Sequence, residues 1–161
     1  MGVAPNPSFA AFTRTVAEIH SADWRALGLE FLGVPGSPAE GIRRELDAVA
    51  ARMPAFGCEN DPLLIRALEV LRSAPPDDGR LALCQGDINI FNYLFLGEEV
   101  VSVVDWEQAR ISDPRCDIGQ LVALSPLKGA PFGPADSQPF VQAYGIAAGK
   151  SVSGMAYFRA R

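Results

Sequence analysis

Histidine, cysteine and lysine are all scarce in this chain. His20 is the single histidine, and Cys58, Cys84 and Cys116 stand far apart without CxxC spacing. A zinc centre built from these two residue types is therefore not expected. An odd number of scattered cysteines fits free thiols and a cytoplasmic protein better than a disulfide framework. The only lysines are Lys128 and Lys150, no basic run occurs, and the net charge is −5. That balance argues against a nucleic-acid partner, although an acidic protein can still bind phosphates through metal ions and a few local cations. Long apolar runs are also missing. None approaches the roughly 20 residues of a membrane span. The opening "MGVAPNPSFAAF" lacks the basic region and long apolar core of a signal peptide. No repeat or linker divides the chain.

What remains is a 161-residue sequence, 48% apolar, which is enough for one domain over residues 1–161. Phe9, Phe12, Val16 and Ile19 recur at helical spacing within 8–21, with Ser8 available as a cap. "DWRALGLEFLGVPGSP" reads as an irregular connection with apolar anchors. Pro38 can start a second helix with Ile42, Leu46, Val49 and Met53 on its buried side, ended by Pro54. Asp61 and Pro62 are a cap and first-turn pair for a third, carrying Leu64, Leu68 and Leu71. After the loop "SAPPDDGR" the pattern changes. Leu81–Cys84, Asn92–Leu96 and Val100–Val104 are short apolar runs, the last two joined by the turn Gly97-Glu98-Glu99. Asp113-Pro114 opens another helix with Ile118, Leu121 and Val122, and further helices fall near 136–147 and 151–161. The fold class is mainly α with one small β-hairpin.

Acids and amides are poor strand formers, yet Asp87, Asn92 and Asp105 bracket the hairpin. Two explanations compete. One is turn chemistry, the usual use of Asp and Asn at strand ends. The other is a shared pocket. A hairpin brings its outer ends together, so Asn92 and Asp105 can lie side by side with the loop at Asp87 beside them. Two carboxylates and an amide carbonyl are hard oxygen ligands suited to Mg²⁺. A carboxylate not used by the metal can orient an attacking hydroxyl, as phosphoryl transfer requires.

The segments "QGDINIFNYLF" and "VVSVVDWEQARISDPRCDIGQL" resemble the catalytic part of the aminoglycoside phosphotransferase and choline kinase family, which is related to the protein kinases. The family pattern is His-Gly-Asp, four residues, Asn, an apolar strand into Asp-Trp/Phe-Glu, then Gly-Asp-Pro and an Asp-Leu-Ala-like helix start. Gly86, Asp87, Asn92, Asp105, Trp106, Glu107, Asp113, Pro114 and Asp117 match it in order. The resemblance implies the C-terminal lobe of a kinase-like fold and the transfer of a phosphoryl group from ATP to a small-molecule hydroxyl. Asp87 would be the catalytic carboxylate. Asn92 and Asp105 would hold Mg²⁺ against the ATP phosphates. Asp113 and Asp117 would cap a helix or brace the site, and Glu107 would approach it or a metal-bound water.

The chain departs from the family in two ways. Gln85 replaces the usual His, and an amide cannot become cationic. The family's N-terminal lobe, with its phosphate-covering loop and lysine, has no counterpart before Ser8. The expectation is a lobe that needs a partner lobe to hold ATP, leaving an apolar face near the first helix and the hairpin, bordered by Phe91 and Trp106. The alternative is a non-catalytic or degenerate lobe acting as a binding module. Acceptor specificity would come from the helices after Asp117 and the loop Ser125–Pro134. His20 reads as a helix-packing residue and Cys84 as a small buried one. "YGIAAGKS" falls one residue short of the glycine spacing of a P-loop and follows a helix. It reads as a C-cap glycine, then a new helix capped by Ser151.

Overall fold

The computed structural model describes residues 7–124 and 138–160. The loop Ser125–Pro134, Lys128 and the start of the helix expected from 136 lie outside the described residues. The first three helices follow from their caps. α1 runs Pro7–Ser21, so Ser8 sits within its first turn instead of capping it. α2 runs Pro38–Arg52, and the Ser37 side chain accepts from the backbone N–H of Glu40. The Glu40 carboxylate in turn accepts from the Gly36 N–H at 2.7 Å, a near relative of the capping box. α3 runs Pro62–Ser73, and Asp61 accepts from the N–H groups of Leu63 and Leu64. Short 3₁₀ turns fill Leu29–Leu32 and Met53–Phe56.

The sheet differs from expectation. The predicted hairpin is present, as β2 (Tyr93–Leu96) against β3 (Glu99–Val103), with Gly97 supplying the left-handed turn residue. A second antiparallel pair joins β1 (Ala82–Cys84) to β4 (Arg110–Ser112), with Cys84 opposite Arg110. β4 was missed because "RIS" is too short to show an alternating pattern. α4 (Arg115–Leu124), α5 (Gln138–Ala147) and α6 (Met155–Ala160) complete the order. α6 starts four residues after Ser151, so that residue caps nothing. Gly149 does end α5: its φ is 64°, and the Lys150 N–H reaches the Gly145 carbonyl at 3.0 Å, the backbone closure of a Schellman motif.

α4 is central. One cluster on it gathers Phe12 and Val16 of α1, Tyr93 of β2, Ile118 and Val122 of α4, and Phe140 and Tyr144 of α5. The other gathers Ile42 and Leu46 of α2, Leu68 and Leu71 of α3, Cys116 of α4 and Phe158 of α6. A helix buried on all sides must satisfy any polar side chain it carries from within, and α4 carries Asp117, which is fully buried. Two expected core residues, Val49 and Leu64, face solvent instead. In place of Val49, α2 buries Ala39 and Gly41, and Gly41 lies directly against Ser112 and Pro35. Among the described residues, no helix is long and apolar enough to cross a membrane.

Candidate active site

The candidate site lies where β1 ends and the hairpin begins. Gly86 follows β1 with φ of 90°, and a Cβ there would collide with the Gln108 carbonyl. Only glycine suits both demands. The turn delivers Asp87, which is partly buried. The Asn92 amide donates to the Asp87 carbonyl at 2.9 Å and to its Oδ2 at 3.1 Å. Asp87 and Asn92 are thus brought together and mutually oriented. Asn92 spends its N–H groups on Asp87, which leaves its amide oxygen as the ligand atom.

Asp105 lies at the other end of the hairpin pairing. The Val104 N–H donates to the Asn92 carbonyl at 2.9 Å, so Asp105 follows directly from the pairing of the hairpin ends. It is exposed, and its carboxylate has no hydrogen bond or ion pair among the described residues. It is also the only described non-glycine residue with positive φ, at 62°. An aspartate tolerates that conformation at a cost near 1 kcal/mol, and such strain collects at functional sites. The donor set offered here, the Asn92 amide oxygen and the Asp105 carboxylate, consists of hard oxygens and fits Mg²⁺.

Gln85, the residue in the usual histidine position, is fully buried. Its Nε2 donates to the carbonyls of Val104 at 3.1 Å and Asp105 at 2.9 Å. One amide therefore clamps both peptide groups that set the direction of Asp105. Its Oε1 is buried without a protein partner, so the amide's contribution lies on its donor side.

Behind the loop stands a buried polar network. Asp117 Oδ2 accepts from the Gln85 N–H at 2.8 Å, the Gly86 N–H at 3.4 Å and His20 Nε2 at 3.3 Å, while Oδ1 faces Arg110 at 3.4 Å. His20 Nδ1 meets the Tyr144 hydroxyl at 2.9 Å. Arg110 also pairs with Glu45 at 2.8 Å. Burial by itself would raise the proton affinity of Asp117, but the hydrogen bond from His20 and the charge on Arg110 outweigh it and hold the carboxyl below its ordinary value. Asp117 is thus a brace under the Gln85–Asp87 loop. Asp113 caps α4, accepting from the Arg115 N–H at 2.9 Å and pairing with the Arg115 guanidinium. Glu107 is exposed and makes no hydrogen bond or ion pair among the described residues. His20 is a satisfied packing residue as expected, yet its bond to Asp117 was not foreseen. Nor were the parts played by Arg110, Glu45 and Tyr144. A charge inside the apolar run "ARIS" was the one available signal for Arg110. Burial, and then the Asp117 charge, push the Cys84 thiol well up, which makes it inert.

Several large apolar side chains on and beside the hairpin are open to solvent. Phe91 is 72% exposed, Leu96 76%, Val101 60% and Trp106 38%. The first helix does not contribute, because Phe9, Phe12, Val16 and Ile19 all turn inward.

A helical lobe with a Gly-Asp loop, an asparagine bound to that aspartate and a second aspartate at a hairpin end has the architecture of the kinase-like phosphotransferases. The chain belongs to the phosphotransferase enzyme family, whose APH model matches residues 7–160. Solved structures with the same fold include an aminoglycoside-3′-phosphotransferase of type VIII, with a TM-score of 0.66 and 24% identity. That match covers 96% of this chain and 59% of the other. A macrolide 2′-phosphotransferase of Brachybacterium faecium also has a TM-score of 0.66, with 23% identity over 98% of this chain and 50% of its own. A Ralstonia eutropha protein described as an aminoglycoside phosphotransferase reaches a TM-score of 0.77 at 19% identity, covering 98% and 53%. Among curated proteins, acyl-CoA dehydrogenase family member 11 of Gallus gallus is 31% identical over 122 residues, 73% of this chain and 15% of that protein. Family member 10 of Mus musculus is 29% identical, over 68% of this chain and 10% of that protein. The chain thus spans about half the length of its structural neighbours and a small part of these curated relatives.

Proposed function

We propose that this chain is the metal- and acceptor-binding lobe of a phosphotransferase that moves the γ-phosphate of ATP to a hydroxyl of a small molecule, such as an amino alcohol, a sugar or an aminoglycoside. The observation that carries this reading is the Asn92–Asp87 bond beside the clamped, unpartnered Asp105. The acyl-CoA dehydrogenase names belong to proteins of which only a small share matches, whereas the phosphotransferase family matches nearly all of this chain.

In this reading Asp87 accepts a hydrogen bond from the acceptor hydroxyl and takes its proton as the oxygen attacks the γ-phosphorus. The P–O bond to ADP breaks in the same displacement, and the proton leaves from Asp87 afterwards. Asn92 holds the Asp87 carboxylate in orientation through Nδ2. Asn92 Oδ1 and Asp105 would hold Mg²⁺, which when bound neutralises charge on the phosphates. Gln85 keeps Asp105 pointed at the site. A nucleotide-covering lobe, in the same polypeptide or a partner, would supply the lysine and rest on the apolar hairpin face. A second reading is a binding module without turnover, for which the observation is Gln85 in the position of the family's usual histidine.

Manganese is a suitable probe of the metal site. Mn²⁺ should broaden the amide signals of Asn92 and Asp105 in the isolated chain, and Asp105→Asn should abolish the effect. With ATP, Mg²⁺ and a panel of hydroxyl acceptors, the chain alone should turn over little. Positioning is worth on the order of 7–11 kcal/mol of barrier, more than a general base provides. Joined to a nucleotide-covering lobe it should become active, and Asp87→Asn should remove that activity. No turnover in the completed protein would leave the binding-module reading standing.

A further inference from the structure

A cavity of about 260 Å³ opens between residues 78–80, the start of α4 and the segment joining α5 to α6. Its walls mix charge with apolar surface. Ile118, Ala148 and Val152 supply the apolar part. The Schellman turn at Gly149 sets Lys150 and the following serines at its rim.

Its charges do not cancel. Asp78 and Asp113 both line the cavity, but both are committed to Arg115, whose Nη2 lies 2.7 Å from each. Arg115 is fixed further by the Ser153 carbonyl and by the Phe158 ring beneath it. Two cations are left over. Arg80 is partly buried and donates to the His20 carbonyl at 2.6 Å. Lys150 stands exposed at the rim. Neither has a carboxylate within ion-pair distance among the described residues. Three cations against two carboxylates leave one positive charge.

We propose that this cavity binds a small aliphatic monocarboxylate, with its carboxylate between Arg80 and Lys150 and its chain on Ile118 and Val152. A single net charge matches a monoanion rather than a phosphate dianion, and the apolar wall favours a ligand with a short hydrocarbon part. A partly buried guanidinium without an acid is a strong donor to carboxylate. Tyr144 also lines the cavity and bonds His20, which bonds the Asp117 brace, so the ligand would sit against the support of the catalytic loop.

Butyrate is the probe. Titrated into the full chain and followed by amide NMR, it should give saturable shifts at Arg80, Tyr144 and Val152. Affinity should fall about tenfold in Arg80→Gln and in Lys150→Gln, the loss expected for one charge-assisted hydrogen bond. Lys150 is exposed, so its variant stays folded even if Arg80→Gln does not. Asp87→Asn should bind butyrate like the parent chain, which makes the test independent of the phosphotransferase reading. n-Butylammonium, with the same shape and opposite charge, should give no saturable shift. Shifts that never saturate, that survive both substitutions, or that butylammonium reproduces would overturn the proposal.

Discussion

The two halves of the candidate site are built in opposite ways. The loop from β1, carrying Gln85, Gly86 and Asp87, rests on a buried network in which Asp117 alone accepts four contacts. The hairpin carrying Asp105 is open, with Phe91, Leu96 and Val101 largely in solvent. The first half is fixed by buried hydrogen bonds. The second is tied to it by the Asn92–Asp87 bonds and the Gln85 clamp, and to the core by the inward side of the hairpin, chiefly Tyr93. A reaction that depends on placing a phosphate against a hydroxyl requires a fixed side for the acceptor and a side that admits the donor. On the function proposed above, the contrast in burial would follow that division.

The comparison is broken most severely at Asp117. Asp117→Ala leaves the buried N–H groups of Gln85 and Gly86 and the His20 ring without their acceptor, while Arg110 keeps only Glu45; it should cost about 3–5 kcal/mol, read as a lower urea midpoint. The same carboxylate gives a pH signature. Its folded value lies below the ordinary 3.8, so the unfolded chain takes up the proton more readily. Its stabilisation is complete above that value and is lost as pH falls through it toward the lower folded value. Acid unfolding of the parent chain should therefore steepen below about pH 4, and Asp117→Asn should flatten that limb.

Smaller effects sharpen the contrast. Gly119→Ala sets a Cβ against the Phe158 backbone where α4 crosses α6 and should cost about 1–3 kcal/mol by overpacking, measured by thermal unfolding. Gln85→Ala frees the Val104 and Asp105 carbonyls. It should cost about 1–3 kcal/mol and weaken Mn²⁺ broadening at Asp105, whereas loss of packing alone would leave that broadening intact. Val101→Lys on the open hairpin should change stability by no more than about 0.5 kcal/mol. The same change should impair association with a nucleotide-covering lobe.

The hairpin, the Asp61 and Asp113 caps and the helical frame were legible because each depends on local chemistry. Turn residues, capping side chains and spacing lie within a few positions of one another. Residues Asp87, Asn92 and Asp105 were visible as polar interruptions at strand ends. What the sequence hid is what depends on tertiary pairing. β4 is three residues long and exists only because β1 lies beside it. Val49 satisfies the helical stripe of α2 but faces water, since Gly41 sets the small side of α2 against Ser112 of β4; Leu64 of α3 also faces water. The His20–Asp117 bond spans 97 positions, and no periodicity reports a contact of that range.

The left-handed backbone at Asp105 has a consequence for evolution under selection for robustness. Glycine adopts φ of 62° without steric cost, so Asp105→Gly would remove strain and leave the Gln85 clamp intact, because that clamp grips carbonyls and no side chain. The change that relaxes this turn also deletes its carboxylate. At this position, greater stability and the loss of a carboxylate come with one and the same substitution.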